Sequence, residues 1–150
     1  MKVLFLDFDG VLNNAEFCNS SPHGANRQDP VFDPAKIDLV NELLGRTGAV
    51  VVVSSSWRSD GSLVWLREVL SVRGFTGKVI DKTPELSGSP RSDEIDSWLR
   101  SRAGDMVTQY VILDDDDDAC IEGHFVHTSL AIGLTSELVE RAVEILGEVF

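Results

Sequence analysis

Apolar positions in this chain fall into two patterns that take turns. Short continuous runs occupy Lys2–Leu6, Ala49–Val53 and Tyr110–Leu113, with shorter ones at Lys78–Asp81 and Phe125–Val126. Runs of branched and aromatic residues without polar alternation predict strands buried on both faces. Between them, apolar residues return at helical spacing. One set is Ile37, Val40 and Leu44 with Leu39 and Leu43; the next is Leu63, Leu66 and Leu70 with Trp65, Val69 and Val72. Ile95, Trp98 and Leu99 form a third set, and Leu138, Val139, Ala142, Ile145 and Leu146 a fourth. Asp33 and Pro34 suit an N-cap and a first helical residue. Gly45 and Gly48 are expected to close that helix, and the next to end near Gly74. Ser92 and Thr135 are the expected caps of the last two. Asn13 to Asp33 reads as one irregular stretch and Thr83 to Pro90 as a loop.

Buried strands alternating with amphipathic helices predict an α/β fold. The expected architecture is a three-layer sandwich: a Rossmann-like parallel sheet with helices on both faces, as a single domain over residues 1–150. In such sheets ligands bind at the carboxyl ends of strands, where strand order reverses. The polar residues that interrupt the pattern fall at those ends. Asp7 and Asp9 follow the first strand, Ser54 and Ser55 the second, and Asp114 and Asp115 the fourth. Residues two apart on an extended chain point the same way. Asp7 and Asp9 therefore share one space, and two carboxylates that close need a cation or a proton between them.

Composition narrows the class. The 150 residues are 43% hydrophobic and 25% charged, as in a soluble globular domain. No apolar stretch approaches the roughly 20 residues of a membrane helix, and Asp7 and Asp9 interrupt the only run near the N-terminus. The two cysteines, Cys18 and Cys120, read as free thiols of a cytoplasmic protein. The net charge of −12 opposes general affinity for nucleic acid or anionic membranes. His23, His124 and His127 form no metal-binding spacing, and Trp57 fits a place at the rim of the site or in the core. Asp116 to Asp118 exceed what a metal site needs and read as a solvated loop.

Asp7-x-Asp9-Gly10-Val11, a serine after the second strand, a later cation and the Asp114-Asp115 pair together resemble the haloacid dehalogenase-like (HAD) phosphohydrolases. The likeness covers nearly the whole chain. It implies that Asp7 is the nucleophile, forming an aspartyl-phosphate, and that Asp9 is the general acid and base. It implies Mg²⁺ held by Asp7, Asp114, Asp115 and the backbone carbonyl of Asp9. Ser54 is expected to bind the phosphoryl oxygens, with Ser55 as the alternative. The balancing cation is Arg91 or Lys82, and Arg58 is a further candidate for binding substrate phosphate. An Asp at position 9 matches the family's phosphatases rather than its dehalogenases or ATP-driven pumps.

Neither the stretch before Asp33 nor that between Trp57 and Pro90 has room for a cap domain. An uncapped, open site suits a macromolecular phosphate or needs a partner chain to close it. Ser54-Ser55-Ser56-Trp57-Arg58, Arg91-x-x-Glu94-Ile95-x-x-Trp98-Leu99, Leu113-Asp114-Asp115 and Gly133-Leu134-Thr135 further resemble a compact subgroup linked to RNA repair systems. That likeness implies a terminal phosphate on a polynucleotide as substrate, against which the acidic charge weighs. A phosphotransferase and a receiver-like signalling module are the competing readings. The receiver-like reading is weaker, because such a module carries its acidic pair first and a lysine late. The composition of Asn13 to Asp33 suits a flap over the site. The oligomeric state is left open.

Overall fold

A computed structural model describes residues 1–20 and 32–149. Among these residues five strands form one parallel sheet: β1 (Lys2–Leu6), β2 (Val50–Val53), β3 (Val79–Lys82), β4 (Gln109–Asp114) and β5 (Phe125–His127). Their spatial order is β3-β2-β1-β4-β5. The chain winds outward from β1 to one side, then crosses back to lay β4 and β5 on the other. The order reverses between β1 and β4, whose register runs from Lys2 opposite Gln109 to Leu6 opposite Leu113.

Side chains of successive residues leave a strand on opposite faces, so each strand feeds two cores. Leu4, Leu6, Val51, Val53, Val111 and Leu113 face a large core. It is roofed by α2 (Pro34–Thr47), α3 (Leu63–Ser71) and α5 (Ser136–Leu146). Val3, Phe5, Val52 and Ile112 face a smaller core beneath Ile95 and Trp98 of α4 (Arg91–Arg100). There Phe5 meets the rings of Trp98 and Tyr110 edge-on at 5.5 and 5.8 Å. The Trp98 indole N–H donates to Asp81 Oδ2 at 2.8 Å, fastening α4 to β3. The result is a three-layer Rossmann-like α/β fold, with no cap among the described residues.

The local signals account for most boundaries. Asp33 caps α2 by accepting from the Ala35 N–H, with Pro34 at its first turn. Gly48 ends α2 in the left-handed region at φ 71°. Gly45, expected to help close the same helix, lies inside it, where a Cβ would meet nothing within 4 Å. Thr135 caps α5 as expected. Ser92 does not cap α4, which begins one residue earlier after extended Pro90. The first free N–H of that helix, Arg91's, is met instead by Asp118 Oδ2 at 3.1 Å, from a loop distant in sequence. Within the stretch expected to be irregular, Ala15–Ser20 is a helix, α1. Asn14 starts it by accepting from the Phe17 N–H at 2.8 Å, a capping signal present in the sequence. The rest of the expected flap, residues 21–31, and His23 within it lie outside the described residues.

Candidate active site

Each chemical side chain here is placed by backbone pairing at a strand end. The Asp7 N–H donates to the Leu113 carbonyl at 3.1 Å and the Ser54 N–H to the Leu6 carbonyl at 2.9 Å. The Thr128 N–H continues the ladder to the Asp114 carbonyl at 2.9 Å. Three strands thus deliver Asp7, Ser54 and Asp114 to one level, at the reversal point of the sheet.

After Asp7 the chain turns sharply, with the Phe8 carbonyl accepting from the Val11, Leu12 and Asn13 N–H groups. Gly10 makes the turn at φ 79°, and a Cβ there would run into the Asp115 side chain. Its carbonyl accepts from the Thr128 hydroxyl at 2.6 Å. Glycine is required twice over, by the left-handed backbone and by the closeness of Asp115.

Carboxylate oxygens of Asp7, Asp114 and Asp115 all lie within 4.8 Å of one another. Asp7 and Asp114 are buried and Asp115 is half-buried. Arg91 Nη1 stands 3.3 Å from Asp7 Oδ1 and 3.0 Å from Asp114 Oδ2. One guanidinium therefore answers two of the three carboxylates. Burial pushes the Asp7 carboxyl well above the usual carboxylate range, the charge of Asp114 pushes it further, and Arg91 draws part of that back. Burial raises Asp114 too, against the pull of Arg91. Burial pulls the Arg91 guanidinium down, but Asp7 and Asp114 outweigh it and hold its proton more tightly. An all-oxygen donor set of this kind suits a hard divalent ion such as Mg²⁺.

The Asp9 carboxylate is outside this cluster. It accepts from Asn13 Nδ2 at 3.1 Å and from the indole N–H of Trp57 at 3.0 Å. Only its backbone carbonyl is left for the metal role implied by the family likeness.

The serines divide their work. The Ser55 hydroxyl accepts from the Trp57 N–H at 3.2 Å and caps the short 3-10 turn Ser56–Ser59. The Ser54 hydroxyl is buried and has no hydrogen-bond partner among the described residues.

The cations divide as well. Arg91 is in the cluster. Lys82 Nζ donates to the carbonyls of Arg58 and Gly61 at 3.3 and 3.5 Å, contacts that fasten a turn. Arg58 is buried, with Nη2 2.6 Å from Glu94 Oε2 and Nη1 donating to the Ser55 carbonyl at 2.7 Å. Both of its terminal nitrogens are engaged within the protein.

Of the extra aspartates, Asp116 accepts from the Asp118 N–H at 3.1 Å and Asp118 meets α4. Asp116, Asp117 and Asp118 are all solvent-exposed. His124 stacks on Tyr110 with ring centres 3.8 Å apart, away from the site. His127 donates through Nε2 to the Asp115 carbonyl at 2.8 Å and braces the acidic loop. That role has no sequence signal, because it joins a side chain at the end of β5 to a backbone group of the loop after β4.

Clefts open on both sides of the cluster. One, of about 400 Å³, is walled by Ser56, Arg58, Leu86, Arg91 and Glu94. The other, of about 440 Å³, is walled by Asp115, His127, Thr128, Leu130 and Ile132. Among the described residues no helix is long and apolar enough to cross a membrane. Cys18 and Cys120 are free thiols.

The family described as "HAD domain in Swiss Army Knife RNA repair proteins" matches residues 3–139. Among curated proteins and solved structures nothing matches.

Two outcomes follow from this geometry. Gly10→Ala displaces Asp115 and weakens Mg²⁺ binding, measured by titration calorimetry, by about tenfold or more; unchanged affinity would show that Asp115 is not held by this turn. The second concerns pH. An acid whose folded pKa is raised costs stability as pH climbs from its unfolded value through its folded one. In chelator, wild type should therefore lose melting temperature relative to Asp7→Asn between pH 4 and pH 8. At pH 8 the variant melts a few degrees higher, at roughly 2–4 °C per kcal/mol for a chain of this size. Parallel pH curves for the two proteins would contradict a raised Asp7.

Proposed function

The chain belongs to the HAD domains of Swiss Army Knife RNA repair proteins, and from that premise we propose that it is a Mg²⁺-dependent phosphomonoesterase working through an aspartyl-phosphate at Asp7. The observation that carries the reading is the grouping of Asp7, Asp114 and Asp115, with Arg91 paired to the first two and the unbonded Ser54 hydroxyl at the neighbouring strand end.

Asp7, Asp114, Asp115 and the Asp9 carbonyl would hold the ion. When bound, Mg²⁺ supplies charge neutralisation that lets a carboxylate approach a phosphate dianion. The Asp7 carboxylate attacks phosphorus while the bond to the leaving oxygen breaks, and that oxygen takes the proton of Asp9. Water then attacks the same phosphorus and gives a proton to Asp9. The Asp7–phosphorus bond breaks, inorganic phosphate leaves, and both carboxyl groups return to their starting states. Arg91 and Ser54 donate to the phosphoryl oxygens as charge builds on them.

The substrate we assign is a terminal phosphate on a polynucleotide. Support comes from the family, from the uncapped fold, and from clefts on both sides through which a chain could run. The acidic surface is no asset for such a ligand, so its recognition rests on the site itself. The free thiols of Cys18 and Cys120 support the cytoplasmic setting that we assign with it.

The test is phosphate release with and without Mg²⁺ from an aryl phosphate and from oligonucleotides phosphorylated at the 3′ or the 5′ end. Mg²⁺-dependent release that Asp7→Asn abolishes is the expected result, with an oligonucleotide preferred. Release that survives Asp7→Asn would end the covalent mechanism. In the same assay Arg91→Ala should lower kcat/KM at least about tenfold more than Lys82→Ala, which decides the balancing cation.

A further inference from the structure

Asp9 has an environment unlike that of the other acids. Its two oxygens each meet one N–H donor, Asn13 Nδ2 at 3.1 Å and Trp57 Nε1 at 3.0 Å. Neither donor can drift. Asn13 is buried, and its own amide oxygen accepts from the Gly10 N–H at 3.3 Å. Trp57 is buried in a box of rings. Phe8 stands 5.4 Å away, Phe32 5.3 Å and Trp65 6.4 Å, centre to centre. Phe8 and Phe32 also meet each other edge-on at 5.4 Å. The Trp57 backbone N–H is capped by Ser55. An indole held on several sides can aim its one donor in only one direction.

We propose that Trp57, with Asn13, is a positioning residue for the acid–base step, fixing the angle from which Asp9 reaches the leaving oxygen. The inference rests on the phosphatase reading and deepens it. HAD-type chemistry asks Asp9 to hand a proton to one oxygen and later to take one from water, so a carboxyl turned even slightly loses rate. A carboxylate on a mobile turn would scatter over its rotamers. Two fixed donors, one on each oxygen, leave a single plane. The free lone pair on each oxygen is then available to the reacting proton. The aromatic box thus has a function beyond filling the core: it turns packing into an orientation.

As the Asp7 oxygen bonds to phosphorus and the ester bond breaks, the Asp9 proton passes to the departing oxygen and Asp9 is left as carboxylate. An alkoxide cannot leave without that proton. A nitrophenolate can, because its negative charge is already stable in water. Misaiming Asp9 therefore penalises alkyl phosphates and largely spares the activated aryl ester in kcat/KM, which reports only events up to the first bond cleavage.

Trp57→Phe keeps the ring packing and removes the donor. We expect it to lower kcat/KM for an alkyl phosphate, an end-phosphorylated oligonucleotide being the probe, at least about tenfold more than for p-nitrophenyl phosphate. Equal losses on both substrates would reduce Trp57 to a structural residue and overturn the proposal, as would no loss on either. A second measurement does not depend on turnover. In ¹H–¹⁵N spectra the indole signal missing from Trp57→Phe should be slow to exchange with solvent in wild type and should shift and exchange faster in Asp9→Ala. An indole signal indifferent to Asp9 would refute the contact. Wild type inert on every phosphate would instead refute the phosphatase reading, and the indole signal would still decide whether Trp57 holds Asp9.

Discussion

Three carboxylates crowded into a mostly buried corner, two of them paired with one guanidinium, are the constraint to which the rest of this protein answers. Like charges brought out of water repel strongly, and Asp7 and Asp114 are both buried. Left to side-chain freedom they would move apart. They stay because their backbones are locked into neighbouring central strands, with Leu6 facing Leu113 in register one step before the acids. The stiffness of a five-stranded sheet packed on both faces opposes the repulsion. This explains why the acids sit on β1 and β4 and not on an edge strand, where the backbone could yield.

The turn after β1 carries the same logic into the loops. Gly10 lets Asp115 come close, Thr128 ties the Gly10 carbonyl to the loop after β5, and His127 holds the Asp115 carbonyl. α4 brings Arg91 in from the thinner face of the sheet, and its first N–H is met by Asp118 of the acidic run. The aspartates beyond the cluster are thus joined to it through the helix that supplies its cation.

Strands, layers and the strand-end acids are legible in the sequence because each depends on local pattern. An uninterrupted apolar run of this length fits a strand buried on both sides, and a carboxylate at its end is visible by position. What is not legible depends on contacts between distant segments. Ser92 has the residue type of a cap, but Asp118 from another loop does that work. The sequence favours Ser54 over Ser55 only by its place at the strand end; the structure shows that the Ser55 hydroxyl is engaged by a turn and the Ser54 hydroxyl is not. Arg58 has the chemistry to bind substrate phosphate, and no sequence pattern reveals that Glu94 engages it. Trp57 suits rim and core alike on sequence. It is core by burial and yet reaches Asp9, a combination that no periodicity encodes.

Unmet polar groups show where stability has been given up. Among the described residues, the buried side-chain atoms without a hydrogen bond are the Ser54 hydroxyl and Arg58 Nε. Both belong to the segment that follows β2 into the site, and Arg58 also walls the cleft beside Arg91. An orphaned buried polar group costs roughly 1–3 kcal/mol, a sizeable share of the net stability of a small domain. Random imperfection would scatter such atoms through the cores. Here the unmet atoms lie instead with the repelling carboxylates at one end of the sheet. Donors and acids left unmet in this way are what the proposed phosphate and metal ion would satisfy. The strain in this molecule and its chemistry therefore have the same address.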